Sequence, residues 1–362
     1  MEFSVDNKTF SGDIDKSDST KIQSYNKMYD VIFNQKKLSE LITENYQTND
    51  FIVIDRNVYN LDSTCLTNID QKFYFIFDAV EDTKNMDTVL KIIDLLFEIK
   101  FNKKNKLLVI GGGITQDVAG FVCAIYKRGL KWLLMPTTLL SMTDSCIGGK
   151  VGVNRISKNM LALFCSPNKV IISNYFLPSL TPDDIVSGLG EALKLSLIGG
   201  EISYQYFQDN YTTLNYLNLI KMATSVKKLI VEYDELEVNE RRVLNYGHTF
   251  GHALETSSNF FIPHGIAITF GMYIINKLFY KNKYDILDNF MLEIIPDKFK
   301  KISMSYDIFI NSVLNDKKND GDNICFILLD DIGKSIFVFK KLDEINNDLK
   351  TIFDELFSNS FN

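Results

Sequence analysis

LLVIGGGITQDVAGFVCAIYKR, Leu107 to Arg128, is the stretch whose reading decides the fold. Leu107 to Ile110 form an apolar run short enough for a buried strand. Gly111, Gly112 and Gly113 turn the chain, and the residues from Thr115 onward keep helical spacing. A strand, a glycine turn and a helix in that order let backbone amides approach a pyrophosphate, while the helix N-terminus adds positive potential. The spacing in GGGITQD is not that of the GxGxxG fingerprint, so a simple tight turn stays open as a reading of this stretch alone.

Outward from this motif, strands and helices alternate. FIVID (Phe51 to Asp55), FYFIF (Phe73 to Phe77), KWLLM (Lys131 to Met135, ended by Pro136) and KVIIS (Lys169 to Ser173) read as strands. Val89, Leu90, Ile93, Leu96 and Phe97 mark a helix before the glycines. Such alternation predicts a parallel, helix-covered sheet. The texture changes at TPDDIV, where Thr181 caps a helix, Pro182 takes its first position and two acids follow in the first turn. Helical periodicity continues to about residue 315, followed by a hairpin from NICFILL and SIFVF and a last helix from Leu342 to Phe357. The first fifty residues show only a strand within the first ten and an amphipathic stretch from Lys36 to Glu44. The expectation is an α/β chain: a Rossmann-like parallel-sheet nucleotide domain over residues 1–178, then a mainly α-helical metal- and substrate-binding domain over residues 179–362.

Composition bounds the function. At 362 residues, 46% hydrophobic and 23% charged, the chain has ample material for two cores. Its net charge of −7 argues against nucleic acid or an acidic membrane surface as a general partner. Five scattered cysteines without a CxxC fit a reducing compartment. No apolar run reaches spanning length and no secretory pattern opens the chain, so a cytoplasmic protein is expected.

All three histidines fall in HTFGHALETSSNFFIPHG, as His248, His252 and His264. His248 and His252 are four apart, on one face of a helix, and Pro263 could swing His264 back toward them. Neutral imidazole suits zinc, and a catalytic zinc needs three protein ligands and an open position. Thr249 stands where the two-histidine zinc peptidases carry their general base, which argues against peptidase chemistry. Further polar residues recur along the chain. MPTTLLSMTDSCIGGKVGVN carries Thr137, Thr138, Asp144 and Lys150. Beyond it come Lys158 and Asn159, then Glu191 with Lys194, then Lys227, Arg241 and Asn245, and last Asp316, Lys317 and Lys318. Together they could surround a phosphate and a polyol, with Glu191 adding a carboxylate to the metal.

GGGITQDVAGFVCAIYKRG, PTTLLSMTDSCIGGKVGVN, SGLGEALK, LNYGHTFGHALE, PHG and DKKNDG, in this order, resemble 3-dehydroquinate synthase and the wider sugar phosphate cyclases, from about Phe51 to Lys334. The resemblance implies a homodimeric, NAD-dependent lyase that uses Zn2+ or Co2+. Its reaction is cyclisation of 3-deoxy-D-arabino-heptulosonate 7-phosphate with loss of phosphate, through transient oxidation, elimination, reduction and intramolecular aldol closure. It further implies Glu191, His248 and His264 as metal ligands. For NAD it implies Asp55, Asn57, Glu81, Lys84, Gly112, Gly113, Asp117, Thr137, Thr138, Lys158, Phe176 and Ser179. For the substrate it implies Arg128, Asp144, Lys150, Asn159, Lys194, Lys227, Arg241, Asn245, His252 and Lys317. The chain departs from the family pattern at Gln116 (usually Gly), Cys165 (Tyr), Ser173 (Asp), Asp184 (Glu) and Ile266 (Glu). Heptulose-phosphate and glucose-6-phosphate carbocyclases share the chemistry. Metal-dependent polyol dehydrogenases share the architecture but would accumulate NADH, and a non-catalytic NAD-binding protein would release no phosphate.

Overall fold

The structure, a computed structural model, describes residues 1–213, 216–314 and 323–357. In chain order the first elements are β1 (Glu2–Val5), β2 (Lys8–Ser11), β3 (Ser19–Gln23), β4 (Met28–Asn34), α1 (Leu38–Asn45), β5 (Phe51–Asp55), α2 (Arg56–Leu61), β6 (Tyr74–Phe77) and α3 (Met86–Glu98). The central run is β7 (Lys106–Gly111), α4 (Gly113–Ile125), β8 (Lys131–Pro136), β9 (Lys150–Val153), β10 (Leu161–Phe164) and β11 (Lys169–Ser173). Then come helices α5 (Pro182–Ile198), α6 (Glu201–Asn210), α7 (Leu217–Tyr233), α8 (His248–Ser257), α9 (His264–Tyr280), α10 (Asp285–Ile294), α11 (Asp297–Lys300) and α12 (Tyr306–Leu314). The chain closes with β12 (Asn323–Asp331), β13 (Lys334–Lys341) and α13 (Leu342–Phe357).

One compact unit comprises Asp15–Leu180 and Thr213–Leu236. Its seven-stranded sheet runs β3-β4-β11-β8-β7-β5-β6, and every pairing from β4 to β6 is parallel. Leu107 to Ile110 at the centre are wholly buried, as a strand covered on both faces requires, and each contributes roughly 1.5–3 kcal/mol. Edge strand β3 runs antiparallel to β4. Neither was expected from the sequence. Their burial alternates, so polar residues interrupt the apolar ones and the lysine- and aspartate-rich context hides the period.

The other unit comprises Met1–Ile14, Thr181–Thr212 and Glu237–Asn362. Relative to a single cut after residue 178, it also holds the N-terminal segment, because β1 pairs in parallel with β13. Likewise α7 belongs to the sheet unit, where it meets the turn Ser141–Ser145 and β3. The helical unit is built on α8 and α9, with α5 against α9, and carries a four-stranded sheet in the order β12-β13-β1-β2. Its core includes Phe250, Phe270, Phe309, Phe326 and Phe353.

Candidate active site and metal centre

In the helical unit the ligand candidates are brought together by backbone contact. Thr181 and Asp184 form a reciprocal cap with Pro182 in the first turn, which sets the start of α5. A little over two turns along it, Gly190 meets α9. A Cβ on Gly190 would lie 2.2 Å from the Gly265 carbonyl oxygen, and one on Gly265 would lie 1.7 Å from that of Ser187. The helices therefore cross with no side chain between them, and Glu191 faces His264 at 3.3 Å between Oε1 and Nε2. The left-handed Gly247 (φ 77°) lets α8 start against Ile268 and brings His248 Nε2 to 3.8 Å from the same Glu191 oxygen. His252 completes the group: one ring nitrogen from each histidine lies within 4.8 Å of the others.

Glu191 is fully buried, and neither carboxylate oxygen has a hydrogen bond of sound geometry, although the Lys194 ammonium pairs with Oε2. A buried carboxylate is costly unless a cation meets it, and Lys194 meets Oε2 while Oε1 faces the histidines. His248 Nδ1 donates to the Tyr246 carbonyl at 3.2 Å, which directs Nε2 at Glu191. His264 Nδ1 bonds Glu255 Oε2 at 3.0 Å, the carboxylate–imidazole arrangement that orients metal-ligating histidines. Burial opposes charge on His264, but the carboxylates of Glu255 and Glu191 outweigh it and raise its pKa to about 9. One acid, two oriented imidazoles and a third nearby fit a divalent cation of the catalytic zinc type.

Two residues here escaped the sequence reading. Glu255 is buried three positions after His252, a spacing that puts both on one helical face and could have flagged it. Glu237 accepts from Asn245 Nδ2 at 2.7 Å, and no spacing signal marks it. Arg241 is buried in the turn Glu240–Asn245 that leads to α8. Lys317 lies outside the described residues.

In the sheet unit the dinucleotide candidates gather by a different rule. Asp55 ends β5 and Asn57 follows it, Glu81 and Lys84 follow β6, Gly112 and Gly113 follow β7, Thr137 and Thr138 follow β8, and Phe176 and Ser179 follow β11. These strands are parallel, so all five sets share one edge of the sheet, where ligands of open α/β sheets bind. Gly112 is the N-cap of α4 and no side chain caps its amides, which suits an anionic group. Buried Lys84 pairs with Asp117 at 2.5 Å. Burial nevertheless raises the Asp117 pKa against the pull of that ammonium. Asp117 Oδ1 also accepts from the Gly152 amide at 3.3 Å, and Asn154 bonds Glu81 Oε1 at 2.8 Å, so helix, loop and β9 are linked.

Asp144 and Lys227 pair at 2.8 Å, a contact between the Ser141–Ser145 turn and α7. Lys150 is exposed at the start of β9, and Lys158 and Asn159 are exposed in the loop after it. Arg128 is not brought to this edge. It follows the far end of α4, roughly 18 Å along the axis from Gly113 at 1.5 Å per residue.

Sheet, glycine turn and helical ligand cluster give the chain the fold of the sugar phosphate cyclases. A 2-deoxy-scyllo-inosose synthase complexed with carbaglucose-6-phosphate, NAD+ and Co2+ superposes with a TM-score of 0.80 at 22% identity, covering 92% of this chain and 99% of that one. A 2-epi-5-epi-valiolone synthase from Streptomyces hygroscopicus subsp. jinggangensis 5008 with NAD+ and Zn2+ bound gives 0.77 at 22%, over 90% and 97%. Residues 74–187 match the family described as 3-dehydroquinate synthase N-terminal, and residues 188–319 match 3-dehydroquinate synthase C-terminal. The 3-dehydroquinate synthase of Pelagibacter ubique (strain HTCC1062) is 35% identical over 346 residues, 88% of this chain and 93% of that protein. The chain belongs to the 3-dehydroquinate synthase family.

Proposed function

We propose that the protein is an NAD- and divalent-metal-dependent 3-dehydroquinate synthase, eliminating phosphate from 3-deoxy-D-arabino-heptulosonate 7-phosphate and closing the carbocycle. The observation that carries the metal-dependent reading is the convergence of the buried Glu191 carboxylate with the Nε2 atoms of His248 and His264, each ring held by a second hydrogen bond through Nδ1. Family membership and the Gly148–Lys150 stretch, with Asn159, Lys227 and Asn245, favour the heptulosonate over heptulose phosphate or glucose 6-phosphate.

Glu191, His248 and His264 would hold the metal, which when bound polarises a substrate hydroxyl and lowers its pKa. Gly112 and Gly113 would present α4 amides to the dinucleotide pyrophosphate, with Asp55, Asn57, Glu81, Lys84, Asp117, Thr137, Thr138, Lys158, Phe176 and Ser179 around the rest. Lys150, His252 and Lys317 would offset the charge of the departing phosphate. Asp144, Lys194, Lys227, Arg241, Asn159 and Asn245 would fix the polyol. With no net oxidation to accomplish, these residues would contribute chiefly by positioning the substrate. A homodimer gives Arg128 a role, since a second copy could deliver it to a substrate that its own α4 holds it away from. The cytoplasm is the proposed compartment. None of the five cysteines is in a disulfide, and no helix among the described residues is long and apolar enough to cross a membrane.

Incubation with the heptulosonate phosphate, NAD+ and zinc tests the reading. Stoichiometric phosphate release, a carbocyclic product by NMR, no net NADH and loss of turnover with chelator are expected. NADH accumulation with a simple alcohol and no phosphate would instead indicate a polyol dehydrogenase.

A further inference from the structure

Gln116 stands in α4 where the family pattern has glycine, and its side chain is buried. Its amide nitrogen donates to the Ser145 carbonyl at 2.7 Å and, more weakly, to the Lys150 carbonyl at 3.4 Å. Its amide oxygen accepts from Ser145 Oγ at 3.0 Å. The segment it holds is irregular: a π-turn over Ser141–Ser145, then Gly148 and Gly149 in left-handed conformations (φ 95° and 64°) before β9. That segment carries Asp144 at one end and Lys150 at the other. One helical turn before Gln116, Gly112 and Gly113 open the helix whose amides are assigned to the dinucleotide.

We propose that Gln116 is a positioning residue that clamps both ends of the Asp144–Lys150 substrate loop to the dinucleotide-binding helix. A glycine at this position could make none of these contacts. The assignment of the loop to substrate rests on the function proposed above, whereas the clamp itself rests on geometry alone. Three neutral hydrogen bonds are enough to hold a short loop in one arrangement.

The test compares wild type with Gln116→Met, which keeps volume and removes the hydrogen bonds, and Ser145→Ala, which removes one. Amide hydrogen exchange and steady-state kinetics are read on the NAD- and zinc-loaded protein. Gln116→Met is expected to speed exchange across residues 144–150 at least tenfold, with the rest of the sheet unit unchanged. It should lower kcat/KM for the heptulosonate phosphate about tenfold while leaving the NAD Kd within twofold, and Ser145→Ala should fall between it and wild type. Unchanged exchange in the loop, or acceleration spread evenly over the unit, would overturn the clamp. If Gln116→Met does not fold, Ser145→Ala decides by the same two readouts. Failure of the wild type to release phosphate would refute the substrate assignment while exchange still decides the clamp.

Discussion

The two units place their functional groups by opposite means. In the helical unit Glu191, His248 and His264 are set by backbone against backbone, at crossings where glycine leaves no room for a side chain. In the sheet unit the candidates ride on loops past strand ends and are held by side-chain pairs: Lys84 with Asp117, Lys227 with Asp144, Gln116 with Ser145. A cation needs ligands fixed within tenths of an ångström, which stiff helix crossings provide. A dinucleotide and a changing substrate need groups that can adjust, which paired side chains on loops provide.

The sharpest way to break this contrast is a single methyl group. Gly265→Ala forces α9 away from the Ser187 carbonyl, which cannot yield as a side chain could. Zinc content measured by atomic absorption should drop to near zero, and the denaturation midpoint should fall by the equivalent of about 3 kcal/mol. Retained zinc at wild-type stability would show that the crossing is not what sets the ligands. Glu255→Ala should leave the fold intact but weaken zinc about 10- to 100-fold in chelator competition, with Glu255→Gln intermediate because it can still accept from Nδ1.

The same methyl group in the sheet unit should do less. The nearest atoms to a Cβ on Gly112 all belong to the Thr138 side chain, the methyl first at 3.0 Å, and that side chain can move. Gly112→Ala is expected to fold normally, bind zinc normally and weaken NAD roughly tenfold in a fluorescence titration, about the worth of one charge-assisted hydrogen bond.

The smallest effect is on pH dependence. In metal-free protein the His264 pKa is raised above its ordinary 6.5, to about 9, so protonated His264 favours the folded state. That contribution is complete below about pH 6.5 and is lost as pH rises through 9, on the order of 1 kcal/mol after solvent screening. Urea midpoints of chelated protein should decline over that range, and the decline should be blunted in Glu255→Gln.

Much of this contrast was legible in the residues. The glycine turn between a buried strand and a helix announced the sheet, and the histidine cluster announced the candidate metal centre. Glu191 was legible only in company: a lone acid in an apolar helix looks like any other, and it stood out through the recurring polar residues around it and through the family resemblance, before α9 is seen to bring His264 beside it. β3 and β4 alternate in burial, but the polar residues within and around them hide that period in the sequence. The pairing of β1 with β13 and the place of α7 in the sheet unit depend on contacts between distant parts of the chain, which leave no local trace. Glu255 had a local trace, three residues beyond His252, and was overlooked because its partner His264 lies past a turn.

Diffraction at the zinc absorption edge from crystals grown with the metal addresses the central claim most directly. The account predicts one anomalous peak about 2.0–2.2 Å from a Glu191 oxygen and from nitrogens of His248 and His264, with His252 outside the ligand set. A peak ligated by all three histidines without Glu191, or a peak elsewhere, would contradict it.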